Sequence, residues 1–102
     1  MKKVNKISVG KKVIKQEAFA LNKLANRINL NFDKACNVIL KCKGKIVTIG
    51  LGKSGHVAKK ASATFSSTGT PSVFLHAAEA LHGDMGLVTK SDIVIFYSNS
   101  GE

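Results

Sequence analysis

Ile46-Val47-Thr48-Ile49-Gly50-Leu51-Gly52-Lys53-Ser54-Gly55 is the stretch on which the fold turns. Its first four residues form a short, β-rich run with no alternation of apolar and polar positions, the pattern of a strand buried on both faces. Gly50 to Gly55 then reads as a turn. From Ser54 to Ser67 the period becomes helical, with Val57, Ala61 and Phe65 four apart as the expected inner face and small Ala58 and Ala63 allowing close packing. A doubly buried strand that runs through a glycine turn into a helix belongs to a parallel sheet.

Downstream the unit repeats. Thr68-Gly69-Thr70-Pro71 ends the helix, Ser72 to Leu75 is a second strand, and Ala77 to Leu81 a short helix. Gly83 to Gly86 is a loop and Asp92 to Tyr97 a third strand, followed by Ser98-Asn99-Ser100-Gly101-Glu102. Strand, helix, strand, helix, strand gives two right-handed βαβ units, with ligands expected beyond the carboxyl ends of the strands. The sequence breaks off where a further helix is expected to start, so it reads as cut short.

Upstream, Ile14, Ala18, Leu21, Leu24, Ala25 and Ile28 form one stripe of a helix expected over about 12–29. A second helix is expected over 33–43, capped by Asn31 or Asp33 at its start and by Gly44 at its end. The division that follows is 1–44, N-terminal helices, and 45–102, the sheet-forming part.

The bulk properties fit one small unit of 102 residues, 44% apolar, with a single Pro and no internal repeat. Fifteen of the sixteen Lys and Arg lie in the first sixty residues. These lysines are spread out and not interleaved with aromatics, so they read as a solvated face rather than a nucleic-acid surface. They also favour approach of an anionic substrate. Cys36 and Cys42, six apart, point to different faces of a helix and read as reduced thiols. No apolar segment approaches membrane-spanning length and no leader follows Met1, so the expectation is a cytoplasmic protein with no membrane partner.

Two loops carry chemistry. In the first, Gly50, Gly52 and Gly55 let backbone approach a ligand while the N–H groups of the following helix point at an anion. Ser54 adds a hydroxyl and Lys53 a charge. The Gly-x-Gly-x-x-Gly spacing is also that of a dinucleotide site, but the second strand ends in Leu75 and His76 without the acid that would hold a ribose. A phosphate loop of the Walker type needs Gly where Val47 stands. The second loop, Ser98-Asn99-Ser100-Gly101, offers more short polar side chains than a helix cap needs. At the same sheet edge as the first, it reads as the second half of a clamp on one phosphate. Between them His82, in His82-Gly83-Asp84-Met85-Gly86, is a candidate acid, base or metal ligand.

From Ile49 to Glu102 the chain resembles the sugar isomerase (SIS) domain, and more closely the D-arabinose 5-phosphate isomerases. The match lies in Gly52-Lys53-Ser54-Gly55-His56, Ala63-Thr64-Phe65, Ser67 to Ser72, Ala78-Glu79-Ala80, His82-Gly83-Asp84, Gly86, Val88-Thr89 and Ser98 to Glu102. The resemblance implies an α/β fold, a three-layer αβα parallel sheet of flavodoxin-like order, of which about three strands are present here after two helices. It also implies an enzyme, usually a homotetramer, that interconverts D-arabinose 5-phosphate and D-ribulose 5-phosphate through an enediol for Kdo and lipopolysaccharide synthesis. On that template Gly52, Ser54, Ser98, Asn99, Ser100 and Gly101 hold the phosphate, and Lys53 and His82 are catalytic. No cofactor is required, and His82 is the candidate ligand of a bound divalent metal. The family's acidic base and ring-opening His fall beyond residue 102, so this stretch alone is expected to be inactive. The other readings are a sugar-phosphate-sensing SIS domain of a transcription regulator, suggested by the basic N-terminal region, and a dinucleotide-binding domain.

Overall fold

A computed structural model of the chain describes residues 3–101, so Met1, Lys2 and the motif residue Glu102 lie outside the described residues. The chain divides into two compact units, residues 1–35 and 36–102. This division falls within the second helix.

In the first unit, helix α1 (Lys6–Ala25) begins well before Lys12 because Asn5 caps it: the Asn5 Oδ1 accepts the Ser8 N–H at 3.1 Å. A hydroxyl or amide oxygen at that position satisfies one of the open N–H groups of the first turn. Gly10 therefore sits inside a helix, where it costs about 1 kcal/mol against Ala. No residue of α1 is buried. Helix α2 (Leu30–Leu40) starts and stops earlier than its apolar pattern suggests. The Asn29 side chain accepts the Asn31 N–H at 2.9 Å, so the start is organised by Asn29 and not by Asn31 or Asp33. Nor does Gly44 cap the end. It is needed elsewhere: its N–H donates to the Ser91 carbonyl at 2.9 Å, and a Cβ there would run into Ser91 and the Asp92 carboxylate.

The second unit holds strands β1 (Ile46–Gly50), β2 (Ser72–His76) and β3 (Ile93–Tyr97) with helices α3 (Gly52–Ser67) and α4 (Ala77–Leu81) and a 3-10 turn at Asp84–Leu87. It is an α/β fold with one open sheet, all parallel, in the order β2-β1-β3. In register, Ile46 lies between Ser72 and Ile93, and Gly50 between His76 and Tyr97. Every residue of central β1 is buried, in keeping with a β-rich run that does not alternate. One face of β1 packs Val47 and Ile49 with Leu75, against Ala77, Val88 and Val94. The other meets α3, where the Thr48 hydroxyl donates to the Ala58 carbonyl at 2.7 Å.

Helix α3 does not bury the stripe that its larger apolar residues mark out. Its buried residues are Gly55, Ala58 and Ser62, whereas Val57 is 57% exposed. The reason is distance. An added Cβ on Gly50 would lie 2.7 Å from the Ser54 carbonyl oxygen and 2.9 Å from the Gly55 Cα. Backbone packed that close leaves room only for small side chains. Ser62 stays satisfied there by its hydrogen bond with the Ser72 hydroxyl at 2.9 Å.

At the opposite end of the sheet an ion pair ties β1 to β3. Lys45 Nζ lies 2.8 Å from Asp92 Oδ2, with the Asp92 side chain only 2% exposed. The Asp92 carboxylate also accepts the backbone N–H groups of Lys45 (2.9 Å) and Thr89 (2.8 Å). The Lys45 N–H first, then its ammonium and the Thr89 N–H, hold the Asp92 carboxyl well below the usual carboxylate range. This clasp fixes where β3 begins, and hence where its far end delivers Ser98.

Candidate functional site

The strand order decides where a ligand can sit. The chain leaves β1 through α3 toward β2 on one side, and β3 lies on the other, so the sheet changes direction between β1 and β3. At such a switch point the connections diverge and leave a crevice beyond the carboxyl ends. A cleft of about 410 Å³ opens there, and its lining includes Gly50, Leu51, Ser54, Tyr97, Ser98, Asn99 and Ser100.

Both walls follow from local backbone needs. Leu51 is extended (φ −126°, ψ 143°) and makes no side-chain cap to α3. Gly52 takes φ +58°, a left-handed value that an L side chain rarely adopts, and this swings the chain from strand into helix. The first turn of a sixteen-residue helix thus faces the cleft without a capping side chain, with its dipole favouring negative charge. Ser54, half-buried, stands in that turn. On the other wall the Gly101 N–H donates to Ser98 Oγ at 2.8 Å, and Gly101 adopts φ +83°. The 98–101 segment is therefore a closed turn that holds three short polar side chains at the mouth.

Of the residues singled out from the sequence, the cleft brings together Ser54, Ser98, Asn99 and Ser100. Gly52 and Gly101 are not in its lining and act on its shape through their backbone angles. Lys53, next to Ser54 in the first turn of α3, is exposed and outside the lining. His82 is exposed too, in the C-cap position of α4, at the other end of that short helix from the cleft-lining Ala77. Among the described residues no group of three His, Cys, Asp or Glu is placed to hold a metal ion. No helix among the described residues is long and apolar enough to cross a membrane.

The sequence reading missed Phe96 and Tyr97, which also line the cleft. Burial pushes the Tyr97 hydroxyl up from its ordinary pKa. The signal was available, since the last residues of a strand at a sheet's carboxyl edge border whatever binds there. A smaller cleft beside β2 is lined by Gly52, Gly55, His56, Lys59, Phe74 and His76. There His76 Nδ1 accepts the Ala78 N–H at 3.2 Å and caps α4.

An open, all-parallel sheet with a serine-lined cleft at its switch point puts the chain among the α/β proteins. Comparison with known proteins is more specific. The SIS domain model matches residues 39–102. Arabinose 5-phosphate isomerase KdsD of Escherichia coli K12 is 55% identical over 93 residues, which is 91% of this chain and 28% of that protein. KdsD of Pseudomonas aeruginosa is 53% identical over 95 residues, 93% of this chain and 29% of that protein. Among solved structures, an E. coli CFT073 protein in complex with arabinose 5-phosphate superposes with a TM-score of 0.91 at 45% identity, covering 100% of this chain and 54% of that one. A putative phosphosugar isomerase involved in capsule formation from Bacteroides fragilis gives 0.85 at 38% identity, covering 93% and 50%. The chain belongs to the SIS domain family. It spans little more than a quarter of the length of the curated relatives it matches.

Proposed function

We infer that the cleft between β1 and β3 holds the phosphate of a pentose phosphate, and that the protein is an aldose–ketose isomerase acting on D-arabinose 5-phosphate. The observation that carries this reading is that Ser54 and Ser98 to Ser100, from two separate loops, line one cleft. The KdsD relatives and the similar protein in complex with arabinose 5-phosphate support the choice of sugar. The product is D-ribulose 5-phosphate, formed through an enediol and feeding Kdo and lipopolysaccharide synthesis in the cytoplasm, by a homotetramer that needs no cofactor.

Each residue then has a task. Ser54, Ser98, Asn99 and Ser100 donate to the phosphate along with the first N–H groups of α3, a set that suits a dianion because charge-assisted hydrogen bonds are the strong ones. With the phosphate fixed, C1 and C2 of the open-chain sugar are oriented for proton transfer, which removes much of the entropic barrier. Lys53 supplies positive charge to the enediolate oxygen that develops in the transition state, and His82 faces the sugar. The base that moves the proton and the His that opens the ring are assigned beyond residue 102. The test is isomerisation in deuterium oxide. A chain with the complete domain should form ribulose 5-phosphate carrying solvent deuterium at C1, while residues 1–102 bind the sugar without converting it. Product free of deuterium, or turnover by residues 1–102, would contradict the reading.

A further inference from the structure

The cleft between β1 and β3 has two unlike sides. Ser54 and the 98–101 turn make one of them polar. The other is apolar and belongs to the face of the sheet turned away from α3. Ile49 and Phe96 are neighbours in register and point to the same face, the one where Ala77 packs on Val47, Ile49 and Leu75. Leu51, two residues after Ile49 and still extended, continues on that face. Leu51, Phe96 and half-buried Ala77 all line the cleft. Yet Leu51 is 60% exposed and Phe96 69%, while Ile49 beside them is 1% exposed.

We propose that Leu51 and Phe96 form an apolar wall that packs against the carbon chain of the bound sugar phosphate and sets which epimer the cleft accepts. The inference rests on the reading of the cleft as a pentose phosphate site, and adds to it the surface that meets the sugar itself. Size argues for this occupant. A cleft of about 410 Å³ is larger than a phosphate held by four short polar side chains requires, so part of it is left for the rest of the ligand. Position argues for it too. Leu51 immediately precedes the helix whose first N–H groups face the phosphate, and Phe96 stands two residues before Ser98. A ligand gripped by Ser54 and Ser98 to Ser100 therefore has both side chains close beside its anchored end. The chemistry then separates sugars. C–H groups pressed on Leu51 and Phe96 leave water, which is favourable. A hydroxyl turned toward them loses its water partners and gains none. The phosphate clamp grips a group that all pentose 5-phosphates share, so it does not make this distinction.

Calorimetric titration of the chain with arabinose 5-phosphate, its C2 epimer ribose 5-phosphate and inorganic phosphate tests the wall. Leu51→Ser and Phe96→Ser, both at exposed positions, should each weaken arabinose 5-phosphate about tenfold. Ribose 5-phosphate should lose less, and inorganic phosphate affinity should change by less than about twofold. Phe96→Leu keeps the surface apolar and should restore most of the sugar affinity. Unchanged arabinose 5-phosphate binding in the Leu51→Ser, Phe96→Ser double variant would overturn the proposal, as would equal losses for the two epimers. So would a Phe96→Leu protein no better than Phe96→Ser, or inorganic phosphate weakened as much as the sugar. Each of these leaves the pentose phosphate reading in place, since the unsubstituted chain still binds the sugar. An unsubstituted chain that binds arabinose 5-phosphate no better than inorganic phosphate would remove that reading and the wall together.

Discussion

Lys53→Ala in a chain carrying the complete domain should lower turnover of arabinose 5-phosphate about a thousandfold, while KM changes by less than about threefold. The asymmetry follows from the geometry. The cleft proposed to hold the phosphate is lined by Ser54 and Ser98 to Ser100, and Lys53 is outside that lining, exposed in the first turn of α3. A cation beside the phosphate wall but not part of it has little to offer the bound ground state. It becomes important when the sugar carbonyl acquires negative charge, and an interaction made mainly in the transition state appears in kcat. Lys53→Arg should restore only part of the loss, since a planar guanidinium does not replace a compact ammonium on a flexible stem. Steady-state kinetics on the three proteins decides the matter. A KM raised a hundredfold with unchanged kcat would make Lys53 a phosphate ligand instead.

Gly50→Val should destabilise the sheet-forming unit by roughly 3 kcal/mol, at the upper end of what overpacking a filled core costs. A Cβ on Gly50 would come within 2.7 Å of the Ser54 carbonyl oxygen, 2.8 Å of the Ser54 carbonyl carbon and 2.9 Å of the Gly55 Cα. All three are backbone atoms, so nothing flexible can give way and α3 must move off β1. Because that movement carries Ser54 away from Ser98, ligand affinity should fall along with stability. Urea unfolding monitored by circular dichroism gives the first quantity and calorimetry the second. Gly10→Ala, at a helix position where an added Cβ meets nothing within 4 Å, should by contrast leave the cleft's affinity unchanged. A Gly50→Val protein as stable as the parent would mean that the close approach of α3 to β1 does not hold the first corner in place.

Much of the sheet was legible because its signals are local. Three apolar β-formers and β-branched Thr48, ending in Gly, fix β1, and its complete burial matches the lack of alternation. The two polar corners stand out because their residue types exceed what a cap requires. What escaped reading depends on long-range partners. Gly44 looked like a helix terminator and proved to be a point of close approach to Ser91 and Asp92, far along the chain. The stripe Val57, Ala61 and Phe65 looked like the core face of α3, since apolar periodicity counts hydrophobicity and not clearance. The sheet selected Gly55, Ala58 and Ser62 because only small residues fit beside Gly50. The start of α1 was hidden by Gly10 and by lysines that break the apolar pattern, and there the capping amide of Asn5 outweighs propensity. Phe96 and Tyr97 were assigned to the strand and so overlooked as walls of the cleft.

The central claim, that two loops close on one phosphate, is tested most directly by titrating the chain with arabinose 5-phosphate while following its backbone amide resonances. Amides of 51–55 and of 98–101 should shift together, along one saturation curve, with inorganic phosphate moving the same set more weakly. Shifts confined to one of the two corners, or centred on His56 and His76 beside β2, would leave the phosphate somewhere other than the crevice between β1 and β3.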